Sequence, residues 1–174
     1  MPDKPETAIQ FQAIARTAVM ASIENKHVQY IAMADRRAQG LLAMSSVLMP
    51  LALAKINTPE CQFGMAVFGV GAVITIIAAV QCLAPKKPKH LDKHEHQNLL
   101  HFSGISKFTE NEYLSTIAEA MNDTRRLSEE VARDLYHISN DILKPKFRWL
   151  RIAYSSFVIG ICLGSGLVAH GYLN

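Results

Sequence analysis

Three stretches of the chain carry no Asp, Glu, Lys or Arg: Ala38–Ala54, Cys61–Ala84 and Ile152–Leu173. The second and third exceed the roughly 20 apolar residues that a helix needs to cross a bilayer, and the first falls a little short. None shows a polar face at helical spacing, so they read as membrane spans and not as buried helices of a soluble bundle. Asp35, Arg36 and Arg37 fence the first span on one side and Lys55 on the other; His170 alone interrupts the third.

The remaining chain also reads as helix. From Thr7 to Arg37 there is no Pro or Gly, and Ile9, Ala13, Ile23, Ile31 and Ala34 recur at close to helical period, which predicts a helix running unbroken into the first span. Past the second span, PKKPKHLDKHEHQ is proline-punctuated and basic, a linker, and Gly104 marks a further break. Thr109 followed by Glu112 makes a capping-box pattern, which predicts a helix start. No Gly or Pro then appears before Lys144, so one long helix is expected, with Leu127, Val131, Leu135, Ile138 and Ile142 as its apolar stripe and Arg126, Glu130, Arg133 and His137 on another face. Pro145 is expected to kink or break it before the third span. The fold class is therefore all-α: an integral membrane protein with three transmembrane helices and a cytoplasmic helical bundle. Its segments are 1–37 (amino-terminal helix), 38–84 (a hairpin of spans 38–54 and 61–84), 85–151 (linker and long helix) and 152–174 (third span).

Composition agrees: in 174 residues, 49% are hydrophobic and 19% charged, which excludes disorder and leaves room for one domain. The net charge of +3 gains meaning from its placement. Arg36, Arg37, Lys86, Lys87, Lys89, Lys144, Lys146, Arg148 and Arg151 flank one side of the spans, against Lys55 on the other. The positive-inside rule then puts the amino terminus in the cytoplasm and the carboxyl terminus in the periplasm of a bacterial inner membrane. Tyr30, Trp149, Tyr154 and Tyr172 fall near the expected interfaces. No basic start, apolar run and cleavage site combine into a signal peptide.

Candidate chemistry is sparse. His90, His94, His96 and His101 invite a metal reading, but no cysteine framework accompanies them and a solvated linker explains them better, so no metal and no cofactor is expected. Cys61, Cys82 and Cys162 lie at or inside the spans as small apolar groups. No nucleophile elbow, phosphate-binding loop, zinc-protease pair or paired carboxylates occur, so the chain is not expected to be an enzyme. Gly160 and Gly164 form a GxxxG step suited to close helix packing, within a subunit or between subunits of an oligomer. Ser45, Ser46, Thr75, Ser155 and Ser156 are candidates to line a path through an assembly. Arg125, Arg126, Arg133 and His137 are candidates for binding a phosphate-bearing ligand, the three arginines because they stand about 27 Å or more along the helix from Arg151 at 1.5 Å per residue, beyond reach of lipid headgroups.

Two motifs carry a family resemblance. Ala34-Asp35-Arg36-Arg37-Ala38 running into LLAMSSVLMPLAL, and Asn140-Asp141-Ile142-Leu143-Lys144-Pro145-Lys146-Phe147 running into the last span, resemble the small transmembrane effectors of bacterial nucleotide-signalling antiphage defence, the PycTM-like effectors of Pycsar and related systems. The resemblance implies a partner nucleotidyltransferase or cyclase that makes a cyclic nucleotide or short oligonucleotide signal. It implies an oligomeric channel or pore gated by that signal, depolarisation and growth arrest, with Asp35, Arg37 and Lys146 coupling the cytoplasmic helices to the spans. A tetramer is the working stoichiometry, and a non-conducting scaffold that recruits a soluble partner is the alternative.

Overall fold

The computed structural model describes residues 4–85, 99–100 and 102–173. His90, His94, His96 and His101, with Lys86, Lys87 and Lys89, lie outside the described residues. The described elements are all helical: α1 (Lys4–Lys55), α2 (Gln62–Leu83), α3 (Phe102–Ile105), α4 (Glu110–Asn122), α5 (Thr124–His137), a π-helical segment Ile138–Leu143, and α6 (Lys144–Leu173). Three helical stretches are long and apolar enough to cross a membrane; two contain the expected first and third spans, and Gln62–Leu83 falls one residue short of the expected second span at each end.

The helices fall into two compact units. The span unit joins 31–85 to 144–173, so it holds the later part of α1, α2 and α6. The helical unit is made of the described residues of 1–30 and 86–143.

Within the span unit, α2 runs antiparallel to α6 along a seam built from missing side chains. A methyl group on Gly64 would sit 2.6 Å from the Gly164 carbonyl oxygen and 2.5 Å from Val168 Cγ2; one on Gly71 would sit 2.9 Å from Gly160 Cα. Lipid tails are as apolar as leucine, so burial drives helices together only weakly in a bilayer, and close van der Waals approach takes over. The core beside the seam is correspondingly small-sided: Ala34, Ala38 and Leu41 of α1, Ala78, Ala79 and Cys82 of α2, and Leu150 and Ala153 of α6. Gly160 and Gly164, expected to pack closely within a subunit or between subunits, are buried inside one chain against α2.

In the helical unit the capping box forms as expected. The Thr109 hydroxyl accepts from the Glu112 N–H, and the Glu112 carboxylate accepts from the Thr109 N–H at 2.9 Å. The single long helix expected from Thr109 to Lys144 is corrected to two. Asp123 takes an extended conformation, φ −110° and ψ 98°, and its carboxylate accepts from the N–H groups of Arg125 and Arg126 at 2.9 and 3.1 Å. An aspartate that caps a new helix ends the old one without any Gly or Pro. Of the kink or break expected at Pro145, a break does not occur. Helical structure continues from Thr124 to Leu173, with the π turns just ahead of the proline. A proline offers no N–H to the carbonyl four residues back and crowds it, and a widened turn relieves that crowding.

The apolar stripe of α5 is shallower than its pattern suggests. Leu127, Val131, Leu135, Ile138 and Ile142 are all half-buried, whereas Glu130, placed on the polar face by its spacing, is buried.

Candidate functional site

Two arrangements stand out, one in each unit. The first lies between α1 and α5 in the helical unit. Arg16 of α1 and Thr124, Arg125, Ser128, Glu129 and Ala132 of α5 line an open groove of about 540 Å³. Two guanidiniums, two hydroxyls and one carboxylate thus belong to the lining of one groove. The Arg125 Nε donates to Glu129 Oε1 at 3.1 Å, but these side chains are 88% and 61% exposed. An exposed helical pair of this kind is worth about 0.3–0.5 kcal/mol, so it yields readily to a better anion. Guanidinium forks suit phosphate oxygens, which accept two parallel N–H bonds.

The other three expected ligand residues are differently engaged. Arg126 lies 3.7 Å from Glu119, Arg133 donates to Glu130 at 3.3 Å, and His137 Nδ1 is 3.3 Å from Asp141. Of the four, only Arg125 lines the groove. The pattern along α5 gave no sign of Arg16, because its contribution comes from packing α1 beside α5. The same packing brings His27 Nε2 within 2.9 Å of the Ser139 hydroxyl. The two contacts join Arg16 to the start of α5 and His27 to the π segment that follows it, so α1 and α5 run parallel within this unit.

The second arrangement lies in the span unit, where α1 and α6 enter side by side. The Lys146 ammonium donates to Asp35 Oδ1, forming an ion pair next to the alanine core. The Lys146 side chain is only 7% exposed and Asp35 31% exposed. An unpaired ammonium at such depth is expensive, so each partner depends on the other. Arg37, expected to act with them, is exposed and makes no ion pair among the described residues. Arg36, Arg148 and Arg151 are exposed around the same entry.

The path candidates separate by burial. Ser45 and Thr75 are fully buried in the interior of the span unit. The Thr75 hydroxyl donates to the Gly71 carbonyl at 2.7 Å and lies 3.4 Å from that of Ala153, which helps to hold α2 against α6. Both therefore face the interior of one chain and not its exterior. Ser46 and Ser155 are exposed and Ser156 is half-buried. Ser46 turns its hydroxyl back to the Leu42 carbonyl at 2.8 Å, and Pro50, one turn on, withholds the N–H that the Ser46 carbonyl would accept. At the opposite end of the spans the Cys61 thiol donates to the Tyr172 hydroxyl at 3.2 Å.

The described elements are all helical, and three helical stretches are long and apolar enough to cross a membrane, which makes this an all-α protein of the membrane-spanning class. A family model then specifies which. The PycTM model, the Pycsar effector protein domain, matches residues 19–171, and the chain belongs to that family. It is a transmembrane effector of Pycsar antiphage defence, an inner-membrane protein of a system whose effectors respond to a cyclic nucleotide from a partner cyclase. No curated protein and no solved structure matches the chain. Arg16 lies just upstream of the matched residues.

Proposed function

We propose that the chain is a non-enzymatic, homo-oligomeric channel or pore, opened or closed by a cyclic nucleotide bound in the groove between Arg16 and Arg125, and that its opening depolarises the inner membrane and arrests growth. The observation that carries this reading is that two exposed arginines from different helices line one groove, in a chain of the Pycsar effector family. A phosphodiester spanning Arg16 and Arg125 would displace the weak Glu129 pair and tie α1 to α5. Both helices continue toward spans, and the Asp35–Lys146 pair is where the later part of α1 meets α6, so it is the natural coupling point.

A conducting path must lie between copies, because α2 and α6 meet backbone to backbone at Gly71 and Gly160 and leave no lumen there. The exposed Ser46 and Ser155 and the half-buried Ser156 are then the lining candidates, with the stoichiometry, taken as four, set by how many copies close the ring. The exposed arginines at the α1 and α6 entry support an amino terminus in the cytoplasm and a carboxyl terminus in the periplasm.

The test is membrane potential, read with a voltage-sensitive dye in bacteria carrying the chain with its partner cyclase. Phage infection should depolarise cells with the parent chain. Arg16→Glu and Arg125→Glu should each abolish the response by at least tenfold while leaving the protein in the membrane fraction. An intact potential with the parent chain under infection would transfer the reading to the non-conducting scaffold. A full response in both arginine variants would remove the groove as the ligand site.

A further inference from the structure

At the hairpin end of the span unit, all three membrane helices border one apolar groove of about 470 Å³. The last turns of α1 (Leu48, Leu51), the first turns of α2 (Met65, Phe68) and the later part of α6 (Val168) form its walls. Its floor is the stretch where Gly64 and Gly164 bring α2 and α6 backbone to backbone. Lys55, the final residue of α1, stands at the rim. It is exposed, and its ammonium has no ion-pair partner among the described residues.

We infer that this groove is a binding site for one anionic phospholipid, with an acyl chain lying along the glycine floor and the headgroup phosphate at Lys55. From Lys55 down to Leu48 the groove extends about 10 Å at 1.5 Å per residue, which places it within the hydrocarbon layer directly below the headgroups. At that depth water gains nothing from an apolar furrow, whereas an acyl chain makes contact along its whole length. The lone cation at the rim selects the headgroup: phosphatidylglycerol offers a net negative phosphate, and phosphatidylcholine cancels its phosphate with its own ammonium. The lipid would cover the line along which the three helices meet, and so seal the hairpin end of the unit.

Full-length protein reconstituted into vesicles of equimolar phosphatidylglycerol and phosphatidylcholine, then extracted in mild detergent, tests this by native mass spectrometry. The parent chain should retain one phosphatidylglycerol per copy, with a preference over phosphatidylcholine of about fivefold, the equivalent of one basic residue at a membrane surface. Lys55→Gln should reduce the preference to near unity without stopping retention. Ser165→Phe, at an exposed position on the groove wall clear of the glycine seam, should stop retention of either lipid while circular dichroism stays unchanged. Equal retention of both lipids by the parent would overturn the assignment to an anionic headgroup. Failure of the parent to retain any lipid, or retention undiminished in Ser165→Phe, would overturn the site itself. Lipid-free dimers that Ser165→Phe dissociates would give the groove to a second copy of the chain.

Discussion

The two units of this chain are held together by different means. In the span unit, specificity comes from absence: Gly64, Gly71, Gly160 and Gly164 let backbones touch, alanines fill the rest of the core, and one ion pair is buried beside it. In the helical unit, the buried side chains among the described residues are few: Leu99, Ala120, Glu130 and Leu143. There the order comes from local devices, the Thr109–Glu112 box, the Asp123 cap and exposed ion pairs along α5. Contacts of the first kind leave nothing to adjust, since a glycine seam is either closed or forced apart. Exposed pairs are individually weak and can be exchanged for a ligand at little cost. A rigid unit in the membrane and an easily rearranged unit beside a phosphate-sized groove is the division that a ligand-controlled effector requires.

The comparison breaks first at the seam. Gly64→Leu would drive a side chain into the backbone of α6, and should cost about 3 kcal/mol, at the upper end for overpacking, because besides Val168 Cγ2 it would meet the backbone at Gly164 and Val168. A Cβ at Gly40, Gly69 or Gly166 would meet nothing within 4 Å, so Gly40→Leu, Gly69→Leu and Gly166→Leu should cost far less. Unfolding in detergent mixtures, followed by circular dichroism, separates the two sets. Equal loss in both would mean that glycine content, and not the seam, matters to the span unit.

A smaller effect is expected at the entry. Asp35→Asn removes the charge that partners the buried Lys146 and should cost about 2 kcal/mol, less than the 3–5 typical of fully buried pairs because Asp35 is partly exposed. Restoring neutrality with Lys146→Met in the same chain should recover most of that stability. If the pair also couples ligand to spans, the double variant will be stable and still fail to depolarise cells. A stable double variant with a normal response would leave the pair a purely structural role.

What could be read from the sequence divides along the same line. The spans were legible because uncharged runs report membrane helices directly, and Thr109 with Glu112 announced a helix start that the structure confirms. Asp35 and Lys146 were each singled out beside a span, but their union needed the parallel pairing of α1 with α6. The end of α4 was missed because Asp123 terminates a helix through its side chain, in a stretch with no Gly or Pro to signal it. Gly160 and Gly164 were recognised as packing residues, yet a GxxxG step specifies close approach and not the partner, which proved to be α2. Arg16 was invisible because nothing in α1 alone marks it; only the groove it lines together with Arg125 gives it a role.

The smallest effect sharpens the contrast from the other side, through pH. Glu112 has its carboxyl held below the ordinary glutamate range, first by the hydrogen bond from the Thr109 hydroxyl and then by that from the Thr109 N–H. A carboxyl whose value is depressed on folding contributes stability that is fully present above its unfolded value and is lost as pH falls through the folded one. The start of α4 should therefore loosen on acidification below the usual glutamate range. Since Glu112 is exposed, solvent screens the effect and the loss should stay confined to that first turn. Carbon chemical shifts of residues 109–113 in the full-length chain in micelles would follow it. In Glu112→Gln, where the amide oxygen accepts the same bonds but does not titrate, those shifts should not respond to acid over this range. The shifts of residues 64–71 in the glycine seam should be indifferent to acid in both proteins. Loosening of α4 that persists in Glu112→Gln would refute the capping carboxylate as its cause, and movement of the seam at the same pH would refute the claim that the two units are stabilised by separate means.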